Sequence, residues 1–70
     1  MSEKEKTKIF EAVRDMNKKY AKAVDANASK EAQEILLEGC RKLFEAMIFQ
    51  QGLVNEYWEY CKKKALQLLL

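Results

Sequence analysis

The sequence predicts an all-α chain, and three observations carry that prediction. Its 70 residues include no proline and only two glycines, so turn chemistry is scarce. Apolar residues recur at spacings of three and four over three segments, and the alternation expected of a strand is nowhere sustained. Short breaks at Asn27–Ser29 and near Gly52 divide those segments. The expected architecture is a small antiparallel three-helix bundle forming one domain over 1–70, with helices at about 3–26, 30–51 and 53–68. A second architecture fits the same pattern: a helical hairpin that dimerises into a four-helix bundle.

The first helix opens on Ser2-Glu3-Lys4-Glu5, which has the Ser-x-x-Glu form of a capping box. Two carboxylates in its first turn favour the helix dipole. Ile9, Val13, Met16, Tyr20 and Ala23 make its buried stripe, with Phe10 and Val24 beside it. Glu11, Arg14, Asp15, Lys18 and Lys22 lie opposite. Asn27-Ala28-Ser29 fits a tight turn, with Ser29 as N-cap of the next helix.

The central helix is the most apolar in pattern. Ala32, Leu36, Gly39, Cys40, Leu43 and Met47 centre an arc that Ile35, Leu37, Phe44 and Ile48 widen to roughly 220°. One neighbour cannot cover such an arc, so partners are expected on two sides. Glu34, Glu38, Arg41, Lys42 and Glu45 form the polar side. Gly39 lowers helix propensity by about 1 kcal/mol relative to Ala, an expense that close approach of a neighbouring helix would offset. Gly52 stands where a left-handed C-terminal cap belongs. Without proline, a break there and one long bent helix from 30 to 68 both fit.

In the last segment Val54, Tyr57, Cys61, Ala65 and Leu68 share a face, with Leu53 and Tyr60 beside it and Trp58 at its edge. Lys62, Lys63 and Lys64 lie toward its C-terminal end, where cations complement the dipole. Leu66, Leu69 and Leu70 point elsewhere, and contact with a second chain is one reading of them.

Composition excludes much chemistry. Without histidine, Ser-His-Asp and Cys-His catalysis and the usual zinc sites are absent. Glu34, Glu38 and Glu45 lie beside Arg41 and Lys42, which reads as a solvated face and not a metal site. No enzyme activity, cofactor or small-molecule substrate is expected. Net charge is +2 with no basic block, which disfavours nucleic acid. No apolar run is long enough to span a membrane, and the start lacks a secretory signal's apolar core. With two unframed cysteines, this points to a reducing, cytoplasmic setting. Cys40 and Cys61 read as buried thiols, and a fold-back at Gly52 would also bring them to heights where a disulfide could form.

Consecutive aromatics at Tyr57, Trp58 and Tyr60 cannot all face one core. They either wrap a core edge or, with the outlying Phe49, border a partner's groove. Phe49, Tyr57, Trp58, Tyr60, Lys64 and Leu66 are therefore the candidate contacts for a protein or peptide partner. The apolar anchors at Tyr57, Trp58 and Tyr60 would bind, and Lys62–Lys64 would steer acidic partners.

Glu31-Ala32, Ile35-Leu36, Gly39-Cys40, Leu43, Ala46-Met47 and Phe49-Gln50 resemble the second helix of the microtubule-interacting and transport (MIT) domain. Asp25-Ala26-Asn27 is similar to the polar turn before it, and Tyr60 with Lys64-Ala65 is similar to the family's third-helix tyrosine and Arg-Ala pair. The chain departs from that pattern in its nearly absent second loop and in Leu66, where an acidic residue belongs. The resemblance implies a three-helix adaptor that binds tails of ESCRT-III-like proteins in grooves beside the third helix. A shorter stretch, Lys42 to Ile48, is also similar to small phycobilisome-degradation proteins.

Overall fold

Caps mark the starts of the first two helices and both turns of the chain. The structure, a computed structural model, describes residues 1–69 and their side chains as far as Leu68. Ser2 Oγ accepts a hydrogen bond from the Glu5 backbone N–H at 3.2 Å and opens α1, Glu3–Asp25. At the far end Asn27 takes φ +54°, Asn27 N–H donates to Val24 O, and Ala28 N–H donates to Ala23 O. This is a Schellman motif with asparagine in the left-handed position. Ser29 Oγ then accepts from Ala32 N–H and opens α2, Lys30–Phe44. Gln33 Nε2 ties the turn by donating to Ala28 O at 2.9 Å.

The second break is a true stop. Helix α2 is prolonged by a π-turn, Glu45–Phe49, in which Gln50 N–H donates to Glu45 O at 2.9 Å. Gly52 follows at φ +68°. Gly52 N–H donates to Phe49 O and Leu53 N–H to Ile48 O, again a Schellman motif. Its customary apolar contact is present, because Ile48 and Leu53 both belong to the core. Helix α3, Val54–Leu69, departs from there.

The described residues thus form three helices and no strand, the all-α three-helix fold that the periodicity predicts. Helices α1 and α2 run antiparallel through the short turn. Cys40 Sγ–H donates to Met16 O at 3.5 Å across their seam. Gly39 faces the same residue, but no backbone approaches it. A Cβ there would sit 3.7 Å from Met16 Sδ and Cε, an ordinary contact with a flexible side chain. The expected close approach of helices is replaced by methionine filling the notch.

Phe10, Val13, Ile48 and Leu53 make the buried core, with Ile9, Leu43, Phe44, Met47, Tyr57 and Tyr60 packed against it. The π-turn explains why Ile48, marginal on a regular helical wheel, is fully buried. An extra residue per turn rotates it toward α1 and leaves Phe49 65% exposed. The wide arc of α2 is covered unevenly. Its end meets α3 through Phe44 and Tyr57, whereas Ile35, nearer its start, is 72% exposed.

The principal extents are 38 × 33 × 16 Å and the radius of gyration is 13.2 Å. A compact 70-residue domain would have about 11 Å. The difference is α3, roughly 24 Å long at 1.5 Å per residue, which leans across α1 and runs past it. From Ala65 to Leu68 every side chain is exposed. No helix among the described residues is long and apolar enough to cross a membrane. Leu70 and the side chain of Leu69 lie outside the described residues, and so does the contact expected of them.

Candidate functional site: the two sides of the third helix

Helix α3 rests on α1 through aromatic rings. Phe10 lies 5.6 Å from the Tyr57 ring and 5.3 Å from the Tyr60 ring, centroid to centroid, and Phe44 lies 6.0 Å from Tyr57. Asn17 Nδ2 donates to the Tyr57 hydroxyl at 3.3 Å. Lys64 Nζ stands 5.5 Å from the Tyr60 ring centroid and Arg14 Cζ 6.0 Å from it, both within cation–π range. Lys6 closes the near end with a 2.8 Å ion pair to Glu56.

These contacts set the ionisation of the site. Burial, reinforced by the neighbouring Cys61 thiol, pushes the Tyr57 phenol up to about 12. Tyr60 is raised too, first by burial and then by Glu11. The hydrogen bond to Glu56 holds Lys6 above its ordinary value. Both cysteines are free thiols: Cys40 is buried against α1 and Cys61 half-buried beside Tyr57.

Because bulky rings hold α3 off α1, grooves remain on its flanks. One, of about 420 Å³, is bordered by Glu3, Phe10, Glu56, Glu59, Tyr60 and Lys63 among others. A second, of about 270 Å³, is lined by Arg14, Asn17, Lys18, Ala21, Tyr57 and Cys61, and a third, of about 190 Å³, by Glu11, Arg14, Asp15, Lys18, Tyr60 and Lys64.

The six residues singled out for partner contact part company here. Tyr57, Tyr60 and Lys64 lie together on the α1 side of α3, half-buried. Trp58 sits on the opposite side of the helix, 63% exposed. Leu66 is 61% exposed farther along, and Phe49 is exposed on the π-turn. The aromatic cluster is therefore divided between a core edge and an open face.

That open face was not isolated from the sequence. The shared stripe splits, Leu53, Tyr57 and Tyr60 turning inward. Val54 (41% exposed), Trp58, Ala65 and Leu68 (82% exposed) remain outside, with Cys61 between them half-buried in the groove beside Tyr57. With Cys61 counted, their spacing is four, three, four, three, the seam spacing of a helix that pairs with another helix. Asn55 and Lys62 flank this line on one side, Lys62 paired with Glu59 at 3.5 Å, and Tyr57 and Lys64 border it on the α1 side. A second exposed apolar residue, Ile35, stands on the outer surface of α2 among Glu31, Glu34, Glu38, Gly39 and Lys42. The signal for it is an isoleucine at the rim of the apolar arc with three glutamates around it.

No known protein family, curated protein or solved structure matches the chain.

Proposed function

We propose that the protein is a non-enzymatic interaction module that takes up a helical segment of a partner protein along the outer face of α3. The observation that carries this reading is the line of exposed Val54, Trp58, Ala65 and Leu68 on a helix whose Tyr57 and Tyr60 side is anchored on Phe10. A helix with a complementary seam can pair with it, apolar anchors at three- and four-residue spacing giving affinity. Trp58 is the central anchor, since a large amphipathic ring near the middle of a contact dominates such interfaces. Neither cofactor nor metal enters this activity. The MIT resemblance implies the same class of activity, with ESCRT-III-like tails as candidate partners.

The test is calorimetric titration with an 18-residue amphipathic peptide carrying a leucine seam at the same spacing and glutamates beside it. Parent protein should bind it, and Trp58→Ala should weaken binding about tenfold or more with unchanged helicity and melting. Equal binding by parent and Trp58→Ala, or binding by neither, contradicts the reading.

A further inference from the structure

The stop at Gly52 is set into a sequence whose helical register runs on through it. Leu43, Met47, Gln50, Val54, Tyr57 and Cys61 follow one another at spacings of four, three, four, three and four, and Gln50 alone among them is polar. The chain has no proline to forbid a continuous helix from 30 to 68. Gln50 already has helical angles, φ −67° and ψ −23°, and Gly52, at φ +68°, is the one residue of the joint in the left-handed region. A helical joint loses no hydrogen bond. The Gly52 and Leu53 N–H groups, which donate to Phe49 O and Ile48 O in the bent chain, would donate to Ile48 O and Phe49 O instead.

What folds α3 back is a short set of side-chain contacts with α1. Phe10 packs on Tyr57 and Tyr60, Lys6 pairs with Glu56 at 2.8 Å, and Asn17 donates to the Tyr57 hydroxyl. We infer that Gly52 is the hinge of an exchange between two copies of this chain. With the joint helical, α2 and α3 form one rod, and α3 makes these same contacts on the α1 of a second copy, which returns its own α3. The receiving surface is the one the folded chain already displays, so exchange needs no new interface and leaves the Trp58 face of α3 open. Only the α1 side of α3 takes part, independently of the function proposed above. Opening withdraws Leu53 from its place beside Ile48 in the core. That burial and the tether keep the dilute chain closed, and concentration favours the exchanged dimer.

The test uses the full chain, reduced, unfolded and refolded over a concentration series, with the dimer measured by sedimentation and the fold of each variant by circular dichroism. The parent should form the dimer at millimolar concentration. Gly52→Ala strains the closed form at its positive φ and favours the helical joint, so it should tighten the dimer at least about a hundredfold. Exchange itself is read by swapping charges in the Gly52→Ala background, one variant adding Lys6→Glu and another Glu56→Lys. Each alone sets like charges at the 2.8 Å contact, whereas in an exchanged heterodimer α1 of each chain meets the opposite charge on α3 of the other. The two are co-refolded in equal amounts, one isotope-labelled for native mass spectrometry. Heterodimer should then make up about three quarters or more of all dimer, against half for random pairing.

A Gly52→Ala chain that is only a less stable monomer overturns the inference, as does a parent that gives no dimer at millimolar concentration. A heterodimer share of one half also overturns it, because the copies would then associate with each α3 still on its own α1.

Discussion

Three positions show how single residues decide between packing and backbone conformation. Gly52 adopts φ +68° with open space around its Cβ position, so Gly52→Ala meets only backbone strain, about 1–2 kcal/mol. Gly39 is the reverse case. It is helical and faces only the mobile end of Met16 at 3.7 Å, so Gly39→Ala should raise stability by about 1 kcal/mol. Urea denaturation of the two variants checks both signs. Tyr57 carries the pH dependence. Its folded-state value, about 12, exceeds the ordinary phenol value of 10.0, so the folded chain holds this proton more tightly than the unfolded chain. The resulting stability is fully present below pH 10 and is lost as pH rises through about 12. Lys6, raised by its pair with Glu56, weakens in the same direction. Melting curves between pH 9 and 12 should therefore fall more steeply for the parent than for Tyr57→Phe, which keeps the Lys6 pair. Identical slopes would place the alkaline sensitivity elsewhere.

Among the elements, the π-turn with the Gly52 cap is the joint on which the fold depends. It turns Ile48 inward, stops α2, and places Leu53 over the same core. Ile48→Ala should cost about 2–5 kcal/mol, against a total of roughly 4–10 kcal/mol for a chain of this length. Denaturation should thus show a variant at the edge of stability, while Ile35→Ala, at an exposed site, should change little. Capping serines, the Asn27–Ser29 turn and the three periodic segments were legible in the sequence, because each depends on local chemistry within a few residues, whereas at Gly52 a break and a bend both fitted. The shift from α to π was not legible, since it is settled by where Ile48 finds its cavity. For the same reason the wheel put Val54, Ala65 and Leu68 with Tyr57. Which edge of an apolar stripe turns inward is decided by the ring-on-ring contact with Phe10, a residue more than forty positions away.

At the scale of the whole molecule, the chain buries little for its composition. Hydrophobic residues make up 49% of the sequence, yet among the described residues the buried ones are Phe10, Val13, Cys40, Ile48 and Leu53. The wide arc of α2 correctly announced more apolar surface than one neighbour covers. Where the uncovered part would fall was not legible, because it depends on α3 leaning across α1 and not along α2. The uncovered apolar surface includes Ile35 on α2 and Val54, Trp58, Leu66 and Leu68 on α3. The central claim is that Trp58 stands on an open face of a folded helix in the isolated chain. Because Trp58 is the single tryptophan, acrylamide quenching of its fluorescence in dilute solution tests this most directly. The account predicts quenching close to that of a free indole while circular dichroism shows intact helix. A shielded Trp58 in the dilute, folded monomer would contradict it.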